Sequence, residues 1–258
     1  MSSKILFVSD LDNTLIFSYK NFSHLGICVE THKGKKLSFM SVNASEMLKQ
    51  IAKTTNFVPI TTRSIEQYKR IHLFDELIRE FALTSNGGVL FLQNEIDKDW
   101  YSESKKMIKD AVSEMRKGMD ILKNDPHICF EIRYVDEMFV FSKSDNVQET
   151  KSTLISKLDL KTVSVHSNGS KIYIVPTTLN KGTALMRLKN RIDHECVLCA
   201  GDSDFDLPML EVSDVAIVPN NEISDKLSSP KVVQNFDKSK IFGDFVLETV
   251  TQYTKINV

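Results

Sequence analysis

Glycine and cysteine are scarce in this sequence, nine and four among 258 residues, and there are six prolines. The cysteines, Cys28, Cys129, Cys196 and Cys199, are scattered, which makes a reducing, cytoplasmic setting the default. Cys196 and Cys199 do form a C-x-x-C. No second pair or nearby ligand cluster completes a zinc site, and in the strand-like "ECVLCAG" residues three apart face opposite sides. Core packing is the better reading. No sign of charge dominates: 33 basic against 34 acidic residues leave a net charge of −1, so no bulk field draws the chain to nucleic acid or to a membrane surface. No apolar run approaches the roughly 18 residues of a membrane span. The opening "MSSKILFVSD" lacks a signal-peptide pattern, because its apolar run is short and ends in acids. Internal repeats and low-complexity linkers are absent. With 41% hydrophobic and 26% charged residues, the composition is that of an ordinary globular chain, one large domain or a core with an insertion.

The periodicity supplies the organisation. "KILFVS" (4–9) reads as a buried strand, residues 17–40 as an irregular flap or hairpin, and 41–55 as a helix with Ala44, Met47, Leu48, Ile51 and Ala52 on one face. A second strand at "NFVPIT", a helix at "SIEQYKRIHLF" and a strand–turn–strand at "FALTSNGGVLFL" follow. Such alternation predicts a parallel α/β sheet. The pattern then changes to one long amphipathic helix over 100–123, a hairpin over 127–144 turning at Val135–Glu137, another helix, and a strand pair at 161–176. Alternation resumes with helix 181–192, strand 195–200, helix 205–212, strand 214–218 and a closing helix. The expectation is an α/β core, 1–87 with 169–258, interrupted by an α+β insertion over 88–168.

In open α/β sheets, ligands bind beyond the carboxyl ends of the strands. Four predicted loops there carry reactive side chains: "DLDNT" with Asp10, Asp12 and Thr14; "ITTRS" with Thr61, Thr62 and Arg63; "NKGTAL" with Lys181 opening a helix; and "GDSDFDLPML" with Asp202 and Asp206. Gly87, Gly88, Gly182 and Gly201 fall at the same junctions, where close backbone approach to a ligand is useful. Each element alone has a plain reading as turn, cap or solvated charge. Lys181 is more informative, because a cation at a helix start opposes the helix dipole unless an anion binds there. Taken together they read as a phosphoryl-transfer site. Asp10 is the candidate nucleophile, and Asp12 the acid that protonates the leaving alkoxide and then activates water. Thr61 and Lys181 would neutralise phosphoryl oxygens. The repelling carboxylates Asp10, Asp202 and Asp206 suit Mg²⁺.

These four motifs, in type and order from Asp10 to about Pro219, resemble the haloacid dehalogenase superfamily, in its type IIB cap group of sugar-phosphatase-like enzymes. "SNGG" (85–88) is similar to the turn that precedes the cap in that group, and "GDSDFDLPMLEVSDVAIVPNN" is the most specific match. The resemblance implies a Rossmann-like parallel-sheet core with helices on both faces and a cap over 88–168. It implies hydrolysis of a small phosphorylated metabolite, with Asp10 and Asp12 catalytic and Thr61, Thr62 and Lys181 on the phosphate. Mg²⁺ would lie on the Asp10 carboxylate, the Asp12 backbone carbonyl and Asp202, with Asp206 supporting directly or through water. Thr62 stands where the group often has glycine, and Phe205 where it often has asparagine. A phosphomutase of the phosphomannomutase-like type, or a non-catalytic phospho-ligand binding module, are the alternatives.

Overall fold

The computed structural model describes residues 4–256 except 21, 23, 24, 76, 78, 79, 236 and 238. Two compact units make up the chain: Met1–Ile96 with Lys181–Val258, and Asp97–Asn180. In chain order the first unit begins with β1 (Ile5–Ser9), β2 (Phe17–Ser18), β3 (Gly26–His32), β4 (Lys35–Ser41), α1 (Val42–Thr54), β5 (Asn56–Pro59), α2 (Ile65–Lys69), β6 (Phe81–Thr84), β7 (Val89–Leu92) and β8 (Glu95–Ile96). The second unit holds α3 (Lys98–Met107), α4 (Val112–Lys123), β9 (Arg133–Val135), β10 (Phe139–Lys143), α5 (Val147–Lys157), β11 (Val163–Asn168) and β12 (Lys171–Pro176). The chain then returns through α6 (Lys181–Lys189), β13 (Cys196–Ala200), α7 (Leu207–Glu211), β14 (Val215–Val218), α8 (Asn221–Ser224), β15 (Lys231–Gln234) and α9 (Phe242–Ile256).

The first unit is built on a five-stranded sheet in the order β15-β14-β13-β1-β5, parallel throughout. β1 and β14 are buried along their whole length, as strands covered on both faces must be. The fold is therefore the expected α/β core with a Rossmann-like sheet. α1 packs on α9 and α6 on α7, and these pairs flank the sheet. α1 starts where Ser41 accepts the Ala44 N–H, a side-chain cap for an otherwise orphaned donor, and it buries Ala44, Leu48, Ile51 and Ala52 as its spacing predicts. No helix among the described residues is long and apolar enough to cross a membrane.

Several local expectations change. The helix read at "SIEQYKRIHLF" is only α2, and a 3₁₀ turn over His72–Asp75 replaces its second half. Of the flap or hairpin expected over 17–40, the structure forms the hairpin, β3 paired with β4 and extended by β2 into the antiparallel sheet β2-β4-β3. β15 and α8 were not anticipated, since "KVVQ" is too short to show a period. β6, β7 and β8 form their own antiparallel sheet, joined to the core by the Ile60–Leu83 bridge. This pairing keeps 89–96 with the first unit. β11 and β12 pair as far as Val163–Pro176, so the second unit runs over 97–180 instead of the expected 88–168.

In the second unit the expected long helix is interrupted at Ile108 (φ −92°, ψ 3°) and passes through a 3₁₀ turn into α4. Trp100, Ser104, Ile108, Ala111, Met115, Gly118 and Leu122 are nevertheless all buried, keeping the three-or-four spacing of one apolar face. The sheet order is β11-β12-β10-β9, and Asp136 and Glu137 turn the β9–β10 hairpin at positive φ. α4 and α5 pack on one face of this sheet.

Candidate active site

Asp10 follows the last residue of β1, and its N–H donates to the Ala200 carbonyl at the end of β13 (2.9 Å). Two loops thus leave neighbouring strand ends side by side. The first turns tightly, with Asn13 at φ 61° and the Leu11 carbonyl accepting the N–H groups of Thr14, Leu15 and Ile16. The second carries Asp202 and folds back onto Asp206, at the start of α7. One Asp206 oxygen accepts the N–H groups of Asp202 and Ser203 and the Ser203 hydroxyl, at 3.0, 3.0 and 2.9 Å. Gly201 is required here, because a Cβ would sit 2.4 Å from the Asp206 Cβ.

Lys181, the first residue of α6, joins the two loops. Its Nζ donates to Asp10 Oδ1 (2.5 Å) and to Asp206 Oδ1 (2.6 Å). All three are buried, with Lys181 1% exposed, Asp206 0% and Asp10 6%. α6 can approach this closely because Gly182 lies against the Pro208 carbonyl, 2.3 Å from where a Cβ would stand. Burial works against the Lys181 charge, yet Asp10 and Asp206 raise its pKa above the usual lysine value. Burial pushes the Asp10 carboxyl well up, against the pull of Lys181, and nearby Asp206 and Asp202 add to the rise. Burial, reinforced by Asp206, also pushes Asp202 up to about 7, although Thr14 Oγ1 donates to it (3.1 Å).

Carboxylate oxygens of Asp10, Asp202 and Asp206 lie within 4.8 Å of one another. Three hard oxygen donors this close together, with the charges of Asp10 and Asp202 disfavoured by burial, are a donor set that fits Mg²⁺. The Asp12 carboxylate is not part of that group. It is turned to Arg63, which grips it with Nε and Nη2 at 2.9 and 2.8 Å. Thr61 is fully buried at the end of the β5 segment, and its hydroxyl accepts the Arg63 N–H (3.1 Å). Thr62 is half-buried, and among the described residues no hydrogen bond ties its side chain to the acids.

Asp10, Lys181, Asp202 and Asp206 are thus brought together as expected, Asp12 shares the Asp10 loop with its carboxylate turned to Arg63, Thr61 lies on the loop after β5, and Thr62 stays apart. Sequence reasoning did not foresee the role of Arg63 as the partner of Asp12, nor of Glu30 behind it. Glu30, on β3, pairs with Arg63 (2.9 Å) and Arg70 (3.2 Å). A charged residue inside a short strand gives no periodic signal of such a network. The C-x-x-C lies on β13 with Cys199 fully buried and its thiol pushed up by burial, in keeping with the core reading.

An α/β core with acids and a buried lysine at its strand ends defines a class, and the family follows. The chain belongs to the haloacid dehalogenase-like hydrolases, whose family model matches residues 7–233. Its fold is shared by sugar phosphatases. The Synechocystis sucrose-phosphatase, solved with sucrose and phosphate, superposes with a TM-score of 0.65 at 16% identity, covering 97% of this chain and 98% of that one. The C-terminal domain of the C. albicans trehalose-6-phosphate phosphatase gives 0.62 at 14%, covering 98% and 93%. A Thermoplasma acidophilum protein gives 0.60 at 14%, covering 98% and 99%. A sequence search of curated proteins finds no match.

Proposed function

We propose that this chain is a Mg²⁺-dependent phosphatase that hydrolyses a small, sugar-phosphate-like phosphomonoester through an aspartyl-phosphate on Asp10. The observation that carries the reading is the buried Lys181 ammonium clasped by Asp10 and Asp206, with Asp202 beside them at adjoining strand ends. The shared fold of sucrose- and trehalose-6-phosphate phosphatases supports the substrate class. Free cysteines at Cys28, Cys129, Cys196 and Cys199 suit a reducing, cytoplasmic location.

In the first step an Asp10 oxygen attacks phosphorus, the bond from phosphorus to the leaving oxygen breaks, and Asp12 gives that oxygen a proton. In the second, Asp12 takes a proton from a water whose oxygen attacks phosphorus, and the bond from phosphorus to the Asp10 oxygen breaks, freeing phosphate and restoring Asp10. Lys181 holds Asp10 in place and offsets charge on the phosphoryl oxygens. The Thr61 hydroxyl, whose oxygen accepts from Arg63, has its own proton to donate to the phosphate. Asp10, Asp202 and Asp206 would hold Mg²⁺, with the Asp12 carbonyl. When bound, the ion would relieve carboxylate repulsion and polarise a phosphoryl oxygen. Residues 97–180 act as the cap that selects the substrate.

The test is a screen of phosphorylated metabolites with Mg²⁺, comparing wild type with Asp10→Asn. Wild type should hydrolyse at least one, and the folded variant should lose at least about a thousandfold in kcat. Wild-type turnover by a folded Asp10→Asn protein would remove the nucleophile assignment.

A further inference from the structure

Glu30 is a buried acid that the mechanism above does not use. It lies on an edge strand, where a charged side chain would ordinarily face water. Instead Val29 and Glu30 are both buried, one after the other. The register of β3 against β4 shifts on both sides of Glu30, and such bulges re-aim a side chain. An isolated bridge between Glu30 and Ile71 pins the backbone there. One Glu30 oxygen receives Arg63 Nη1 (2.9 Å) and the Ser38 hydroxyl (2.6 Å), and the other faces Arg70 Nε (3.2 Å). Ser38 also receives Arg63 Nη2 (3.3 Å).

Arg63 therefore stands between two carboxylates of very different exposure. Its own side chain is 10% exposed, that of Glu30 3% and that of Asp12 46%. An ion pair open to solvent is readily given up, whereas breaking a buried one leaves an uncompensated charge. So Arg63 stays with Glu30, and Asp12 is the partner that can leave. It has to leave, because a carboxylate gripped through both oxygens has neither to offer a leaving group.

We propose that Glu30 is a positioning residue for Asp12: by anchoring the Arg63 guanidinium from the buried side, it makes the Arg63–Asp12 clasp reversible, so that Asp12 can reach the leaving oxygen. This rests on the phosphatase reading. Without the Glu30 charge, Arg63 holds Asp12 more tightly and the protonation of the leaving group fails. The nucleophile and the carboxylate cluster are untouched.

The experiment compares wild type with Glu30→Gln on p-nitrophenyl phosphate, whose leaving group needs little protonation, and on phenyl phosphate, whose leaving group needs more. General-acid help is worth about 10²–10⁴-fold. We expect kcat on phenyl phosphate to fall at least about tenfold while kcat on p-nitrophenyl phosphate falls less than about threefold. The Mg²⁺ half-saturation should be unchanged, and Glu30→Asp should restore part of the loss. An equal fall on both esters, or no fall on either, overturns the proposal, since a merely structural role has no leaving-group dependence. If Glu30→Gln does not fold, Ser38→Ala, which removes one contact each from Glu30 and Arg63, should give the same ordering at smaller size, and an equal effect on both esters again overturns it. Wild type inactive on both esters and on the metabolite screen would count against the phosphatase reading itself, a separate outcome.

Discussion

Asp202 and Asp206 lie four residues apart in one loop and share a charge, yet they differ in what each holds. Asp206 is fully buried and accepts from Lys181, from two backbone N–H groups and from the Ser203 hydroxyl. It ties the loop to α6. Asp202 receives Thr14 and sits against Asp206, a pairing its raised pKa marks as unfavourable when both are ionised. Two substitutions should therefore separate metal binding from loop architecture. Asp202→Asn removes a repelled charge, so the metal-free protein should melt no lower than wild type while the Mg²⁺ half-saturation rises about 10–100-fold. Asp206→Ala leaves the Lys181 ammonium with one carboxylate and three donors unanswered, so both the melting temperature and the Mg²⁺ response should fall. Thermal melts and Mg²⁺ titrations of activity on the two variants check this. Equal melting temperatures would contradict the anchoring role of Asp206.

The loops after β1 and β13 were legible because their residue types carry the chemistry themselves: apolar strands, then paired acids, then a lysine opening a helix. What pairs with what was not. Arg63 could be seen among the polar residues after β5, but its grip on Asp12 depends on β3 and β4, whose pairing brings Ser38 opposite Glu30. A bulge of that kind leaves no trace in hydrophobic periodicity. The ends of the insertion were misjudged for a related reason, since β7 and β8 pair back onto β6 and only that pairing assigns them to the core. Element junctions also explain the glycines. At Gly201 a Cβ would meet the Asp206 Cβ and Cγ at 2.4 and 2.6 Å, so Gly201→Ala must push Asp206 off Lys181. Overpacking of this kind costs about 1–3 kcal/mol, and activity should fall with it. At Gly169 φ is 54° but nothing lies within 4 Å, so Gly169→Ala should lower the melting temperature slightly and leave the Mg²⁺ half-saturation unchanged. The paired measurement separates the two, and unchanged activity in Gly201→Ala would mean that Asp206 can move without consequence.

At the scale of the whole molecule, the site is a source of pH-dependent instability that a cation should relieve. An unfolded aspartate ionises near pH 4, whereas burial and Asp206 push Asp202 up to about 7 and burial raises Asp10 as well. Between those values the folded chain binds protons that the unfolded chain has lost, so the site's contribution to stability falls as pH rises through that window. Mg²⁺ binds the ionised form, so its stabilising effect should be larger at about pH 7.5 than at about pH 5. Melting curves with and without Mg²⁺ at the two values test this, and an equal gain at both would contradict it. The acids and Lys181 all belong to the first unit, which leaves selection of the substrate to Asp97–Asn180 in the proposed function. Arg133, Phe141, Tyr173 and His166 form one row across the sheet of that unit. The alternate residues Val140, Ile174 and Val165 are buried, and a Cβ on Gly118 of α4 would touch Ile174. The row with Arg133 and His166 therefore lies on the face away from α4. A cation, two rings and an imidazole on one face are suited to a polar, ring-bearing ligand. Replacing Arg133 and His166 together by alanine should change the ratio of kcat/KM between preferred and poor phosphoesters by about 10–100-fold. Turnover of p-nitrophenyl phosphate and the Mg²⁺ half-saturation should hold, because the acids and Lys181 that would serve them lie in the first unit. A uniform loss on every ester, or an unchanged ratio, would show that this face takes no part in choosing the substrate.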